Sequence, residues 1–173
     1  MTRTWLVLIC VVLVLLLLLG MRLGWRNRTK RQAYLPVLPT APAELGAELL
    51  TPMLGVYVGS TFADNWQDRV VHDGLGRRAS STISFHEAGL NIQRYGDRPI
   101  FIPLAWITGA ELRPGIAGKV MGAGGLLVVS WRLTASEDEA EAGEFDLDTG
   151  IRADDKSKYP EWVRLINAKA GVK

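Results

Sequence analysis

Fifteen consecutive apolar residues, Trp5 to Leu19, open the chain, and Gly20 and Met21 extend the run to seventeen. At about 1.5 Å per residue a helix of that length is roughly 26 Å long, a little short of a ~30 Å hydrocarbon core. The stem of Arg22 can lie along apolar surface while its head reaches water, so Leu23 and Trp25 complete the span. Trp5 and Trp25 stand where interfacial aromatic rings anchor a helix. The pattern predicts a membrane-spanning helix over residues 5–25, with Trp5, Leu19, Gly20 and Trp25 as anchor positions and residues 1–4 as a short tail.

Residues 26–53 break the pattern with Pro36, Pro39, Pro42 and Pro52. Proline lacks an N–H and restricts the residue before it, so Gln32 to Ala43 is expected as a semi-extended spacer. Glu44 to Leu50 is expected as a short turn of helix. From Leu54 the pattern becomes mostly β, and Gly55 to Thr61 is the first predicted strand. Asp64 to Val71 reads as a short helix capped by Asp64, with Trp66 and Val70 on one face and Gly74 and Gly76 ending it. Ser80 to His86 alternates, Ala88-Gly89 turns the chain, and Leu90 and Ile92 lie on the return strand. Ile100, Ile102, Leu104 and Trp106 alternate through Pro103, which implies an edge strand or a bend between two strands. Ala110 to Arg113 prolongs the second. Leu127, Val129, Trp131 and Leu133 form another alternating face, and Phe145 and Leu147 a last short strand.

The C-terminal segment changes period. Tyr159, Trp162, Val163 and Ile166 fall at i, i+3, i+4 and i+7, a helical stripe. Pro160 suits the first helical position, Glu161 and Lys169 complement the two ends of the dipole, and Gly171 can close the helix. Residues 54–173 are therefore expected to form one domain of about seven strands and one amphipathic helix, joined to the anchor by residues 26–53.

Charge alters the picture. Six of the 20 basic residues and none of the 18 acidic ones lie in residues 1–31, so the rest of the chain holds 14 basic against 18 acidic residues, a net of −4. A mildly acidic domain is a poor binder of phosphate backbones, which excludes nucleic acid as a partner. Arg3 alone precedes the apolar run, whereas Arg22, Arg26, Arg28, Lys30 and Arg31 follow it. The positive-inside rule then places the C-terminal side in the cytoplasm, giving a single-pass protein of the cell membrane. Those five cations also suit anionic lipid, at about 1 kcal/mol each near a charged surface. A cleaved signal peptide is the rival reading. It would need a small-x-small cleavage site, and the basic cluster stands there instead. Cys10, the only cysteine, lies inside the apolar run, so the domain has no disulfide and no thiolate metal site.

Several local stretches resemble a bacterial family of membrane-anchored proteins with pleckstrin-homology (PH)-like domains, some of whose members carry loose labels such as transporter or exported protein. These are Gly59-Ser-Thr61 with Asp64-Asn-Trp66, His72-Asp-Gly-Leu-Gly76, Ile102-Pro-Leu104 and Gly115-Ile-Ala-Gly-Lys-Val120. Gly125-Leu-Leu-Val-Val-Ser-Trp131 and Tyr159-Pro-Glu-Trp162 continue the match, which covers residues 54 to 170. The resemblance implies a PH-like barrel of about seven antiparallel strands closed by one C-terminal α-helix. It also implies binding of lipid head groups, peptides or proteins without catalysis. The loop after the first strand departs from phosphoinositide-binding members: it holds Asp64, Asp68 and Asp73 against only Arg69 before Arg77-Arg78.

Motifs for chemistry are sparse. Gly115 to Gly125 is glycine-rich with a lysine, but a Walker A loop would need Gly where Arg113 stands and Ser or Thr where Val120 stands. We read it as an inter-strand loop, with Gly115, Gly118, Lys119 and Gly122 as a candidate interaction loop. The two histidines, His72 and His86, are too few for zinc. His72 is expected to end the short helix and His86 to point outward. No nucleophile elbow is present, so no catalytic residue, cofactor or metal is assigned. Arg77, Arg78, Arg94 and Arg98 read as solvated charge, with a small basic face that contacts an anion or lipid as the alternative. Trp106, Trp131 and Trp162 lie on apolar stripes and are expected in the core, while Trp66 could cover one end of the barrel or serve a ligand. The acidic tract from Glu137 to Glu144 reads as a solvated hairpin tip. The expected function is a membrane-tethered, cytoplasmic, non-catalytic interaction or scaffolding module whose partners are the bilayer and another protein or peptide. A groove between a sheet edge and the helix would take that peptide as an added strand. The alternative is an accessory subunit of a transporter or membrane enzyme complex, for which Gly20 and Gly24 would form a small-xxx-small contact.

Overall fold

The computed structural model describes residues 2–32, 34–122, 124–134 and 143–171, with side chains described for all of these except residues 2, 25 and 27–31. The acidic positions Glu137, Asp138, Glu139 and Glu141 lie outside the described residues, as do the side chains of Trp25, Arg28, Lys30 and Arg31. The chain divides into two compact units, residues 1–34 and 35–173.

The first unit is a single helix, α1 (Thr2–Arg31), 30 residues long. No proline or β-branched cluster stops it after the apolar run, so it continues through the basic stretch. Its segment Arg3–Gly24 has a mean hydropathy of 3.1 and none of it is buried. This helix is long and apolar enough to cross a membrane.

The second unit is built on β1 (Glu48–Phe62), β2 (Asn65–Arg69), β3 (Ala79–His86), β4 (Gly89–Arg94) and β5 (Ile100–Pro103). Then follow β6 (Ile107–Arg113), the short β7 (Gly115–Ile116) and β8 (Lys119–Val120), β9 (Leu126–Leu133), β10 (Phe145–Ala153) and helix α2 (Tyr159–Lys169). Antiparallel pairing runs β5-β4-β3-β1-β10-β9-β6, with β2 beside β1 and β7 paired with β8. The ladder stays open between β5 and β6, which are joined by a 3-10 turn over Leu104–Trp106. Pro103 lies at that bend, since it cannot donate to a ladder.

Several elements differ from the pattern-based expectation. β1 begins at Glu48 rather than Gly55, and the helical turn expected over Glu44–Leu50 is absent: Leu50 pairs with Phe85 and Met53 with Ile83. Leu50 and Met53 are buried, and that burial outweighs local propensity. Asp64–Val71 is no helix; Asn65–Arg69 is a strand whose Asn65 pairs with Phe62 and Arg69 with Thr61. The four-residue spacing of Trp66 and Val70 fits either period, and the Asn65 side chain, accepting from the Gln67 N–H at 3.1 Å, favours a turn. β10 runs to Ala153, well past the expected end at Leu147. The compact unit also starts ahead of residue 54: Leu35 is buried in the core, and the Leu38 N–H donates to Asp73 Oδ2 at 3.3 Å.

The main core gathers side chains from both ends of the ladder, among them Ile83, Phe85, Ile92, Ile102, Ile107, Val129, Trp131 and Ile151, and α2 closes it with Tyr159, Trp162 and Ile166. A chain of polar groups crosses this interior. Trp131 Nε1 donates to Thr149 Oγ1 at 2.9 Å, Thr149 and Ser60 hydroxyls lie 2.8 Å apart, Ser60 and Tyr57 hydroxyls 2.8 Å apart, and Tyr57 donates to the Leu75 carbonyl at 2.7 Å. Burial pushes the Tyr57 hydroxyl well above the ordinary tyrosine range, and burial also raises that of Tyr159. In the unfolded chain both ionise near pH 10, whereas the folded state holds their protons. Folding stability is therefore expected to be insensitive to these groups below about pH 10 and to fall as pH rises above it. Urea midpoints between pH 8 and 11.5 check this, and Tyr57→Phe should flatten the decline.

Candidate functional site

A second, smaller core lies on the outer face of the sheet. Val58, Leu126 and Val128 pack there under Ile116 of β7, with Ala117 and Met121 beside them. Space for Ile116 exists because residue 150 is glycine: a Cβ there would meet Ile116 Cγ2 at 2.5 Å. The β7–β8 hairpin is further tied to β2, since the Ala117 N–H donates to the Trp66 carbonyl at 2.7 Å. Gly118, at φ +72° in open space, supplies the left-handed turn that lets β8 return.

Between this hairpin, the β1–β2 turn and the end of β6 lies a cleft of about 440 Å³ lined by Ala63, Asp64, Trp66, Arg113, Pro114 and Val120. Trp66 is 41% exposed and Val120 73% exposed, so two large apolar side chains face solvent at its mouth. Its one arginine is already engaged. The Arg113 guanidinium bonds Asp148, which is 1% exposed, and Glu111 at 2.5 Å, while Ser130 Oγ donates to the same Asp148 at 2.6 Å. These carboxylates hold the Arg113 charge firmly in place. The site offers an apolar surface and a neutralised cation, with no nucleophile–base pair. Among the described residues no group of three His, Cys, Asp or Glu side chains is placed to hold a metal ion.

A family model described as bacterial PH domain-like matches residues 35–167. This chain belongs to that family. The bacterial PH-like domain thus spans β1 to α2 together with the proline-rich segment before it, and PH-like domains are generally non-catalytic binders of lipids or proteins. No curated protein matches the chain.

Within this PH-like domain the candidate interaction loop is more ordered than a plain inter-strand loop. Gly115 and Lys119 sit in the β7–β8 hairpin and Gly118 at its turn, while Gly122 follows at φ +82°. Lys119 is exposed and next to Val120 at the cleft. The exposure of Trp66 carries a signal the sequence reading left open, because an unpaired aromatic on a short edge strand cannot be told from a core residue by period alone.

The alternative basic face does not form one surface. Arg94 is 2% exposed: its Nε donates to the Arg98 carbonyl at 2.7 Å and its Nη1 to the Gly74 carbonyl at 2.7 Å, and its guanidinium lies 5.3 Å over the Tyr57 ring. Arg77 pairs with Asp97 at 2.6 Å and Arg98 with Asp73 at 3.7 Å, so acids offset the exposed arginines. His72 opens a 3-10 turn (His72–Gly74) instead of ending a helix. His86 is half-buried, with Nδ1 enclosed, not outward.

Where a groove between a sheet edge and the helix is expected, α2 bonds directly to β6 at Ala110. Asn167 of α2 accepts from the Ala110 N–H at 2.7 Å and donates to the Ala110 carbonyl at 2.9 Å. One side-chain amide thereby satisfies both backbone groups of Ala110 on the edge strand β6, as an added strand would at that residue.

Proposed function

We propose that this protein is a single-pass, membrane-tethered PH-like module of the cell membrane. In this reading its domain lies in the cytoplasm and recruits or positions another protein without catalysing a reaction. The observation that carries the reading is the charge asymmetry about the apolar helix: one cation before it, five after it, and a domain of net −4 beyond. Translocating the basic side would oppose the positive-inside preference, so the domain stays on the inner side. Residues 5–25 serve as anchor, 26–34 as a basic juxtamembrane stretch, and the cleft at Trp66, flanked by the Gly115–Gly122 loop, as the contact surface.

Orientation is tested by fusing a reporter that is active only in the cytoplasm, and in parallel one active only outside, to the C-terminus of the full chain. Activity of the cytoplasmic reporter alone is expected. Activity of the outer reporter, or a mature chain beginning beyond Gly24, would overturn the proposal.

A further inference from the structure

We infer that the outer edge of β5 at Phe101 is a docking site for one carboxamide, the asparagine or glutamine side chain of a partner protein. The site lies wholly within the PH-like domain, so it is independent of the membrane topology proposed above.

Register places the site. The Leu104 N–H donates to the Ala88 carbonyl at 2.9 Å, and Ile102 and Ile100 stand opposite Leu90 and Ile92. Antiparallel strands exchange bonds at every second residue, so Ile100 and Ile102 turn their backbone groups toward β4. Pro99, Phe101 and Pro103 turn theirs away from the sheet. Proline has no N–H, so of these three Phe101 is the one with both a donor and an acceptor. A guest strand would find its carbonyls unmet opposite both prolines. One amide group fits.

Burial makes that pair costly to leave open. Phe101 is 5% exposed, and among the described residues no hydrogen-bond partner meets its outward N–H or carbonyl. Buried backbone groups are nearly always paired, so this exception marks a place for a guest. The same sheet shows what such a guest is. At its other edge the Asn167 carboxamide meets the N–H and carbonyl of Ala110 at 2.7 and 2.9 Å. Phe101 presents the same donor and acceptor, and no side-chain amide of the domain reaches them among the described residues.

The surroundings suit a neutral side chain with an apolar stem. Pro99 and Phe101 line a cavity of about 290 Å³ together with Val37, Leu38 and Pro39. Asp73 and Arg98 also line it and pair with each other at 3.7 Å, and Asp73 accepts from the Leu38 N–H at 3.3 Å. Their charges offset, so the cavity calls for neither an anion nor a cation. The methylenes of an asparagine or glutamine would lie along the prolines while the amide meets Phe101.

The test uses the full chain, isotopically labelled, in neutral detergent micelles and follows the Phe101 amide by nuclear magnetic resonance. Three capped pentapeptides serve as probes. They differ at the central residue alone, which is glutamine, glutamate or methionine with leucine on each side. The glutamine peptide should shift the Phe101 resonance saturably, slow its hydrogen exchange, and bind at least about tenfold tighter than the other two. Phe101→Pro removes the outward donor and no bond to β4, so the preference for glutamine, read at the Ile102 amide, should vanish. Should that variant unfold, the peptide series and the exchange rate on the parent protein still decide. Equal binding of the three peptides, or an unperturbed Phe101 amide at saturation, would overturn the inference, since the edge would then hold water alone. So would an unchanged preference for glutamine in a folded Phe101→Pro protein.

Discussion

Trp131→Ala is expected to cost about 3–5 kcal/mol of folding stability, the largest loss from any single truncation in this domain. The ring is fully buried in β9, stacked on Trp106 at 6.4 Å with 2° between the planes. Truncation removes that transfer energy and leaves a cavity between the two halves of the sheet. It also removes the donor that ends the polar chain at Thr149, leaving a buried hydroxyl short of a partner. Trp131→Phe separates the two terms. It keeps most of the packing and loses the indole N–H, so its cost should lie near 1–3 kcal/mol. Since natural domains are stable by only about 5–15 kcal/mol, the alanine variant should be largely unfolded at modest urea. Urea titrations of the full chain in detergent, followed by far-ultraviolet circular dichroism, measure both. A loss under about 1 kcal/mol for Trp131→Ala would show that the interior does not bear on this ring.

Arg94→Met should be almost as damaging, at about 3 kcal/mol, although a methionine fills similar volume. The guanidinium donates to the loop carbonyls of Gly74 and Arg98 at 2.7 Å and of Arg77 at 3.5 Å, and lies 3.4 Å from Asp97, which is 8% exposed on its side chain. Removing it strands carbonyls in a dry setting and leaves Asp97 to Arg77 and the Arg98 N–H. Arg94→Lys should rescue little, because one ammonium cannot reproduce the planar fork that serves these carbonyls at once. Hydrogen exchange at residues 72–78 should rise sharply in both variants, and protection there equal to the parent would refute the role assigned to Arg94.

How far the chain could be read in advance varied with the kind of signal. The β3–β4 hairpin announced itself through strict alternation of Ile83, Phe85, Leu90 and Ile92 around Ala88-Gly89, and the structure buries all four apolar residues. α2 was equally plain, because Tyr159, Trp162 and Ile166 keep helical spacing and all three are buried. Asp64–Val71 misled because a spacing of four residues is common to a helix face and to one side of a strand. Arg94 misled for a different reason: an arginine near a turn is usually solvated, and only a cage of carbonyls from distant residues makes its burial favourable.

The candidate site was only partly legible. The glycine-rich stretch from Gly115 was visible, but its ordering depends on Ile116 finding a Cβ-free position at Gly150, thirty-four residues away. Nothing local encodes that fit. The exposed Trp66 and the engagement of Arg113 by Asp148 likewise come from strands that meet only after folding.

Sequence alone determined the apolar helix, the count of cations on each side of it, the mainly β body and its closing helix. These follow from composition and from periods of 2 and 3.6, which are properties of neighbouring residues. Tertiary structure decided which edge of the sheet is closed, which arginine is buried, and where an apolar cleft stays open to water. Each of those is set by contacts between segments far apart in the chain, where burial and hydrogen-bond satisfaction outweigh local preference.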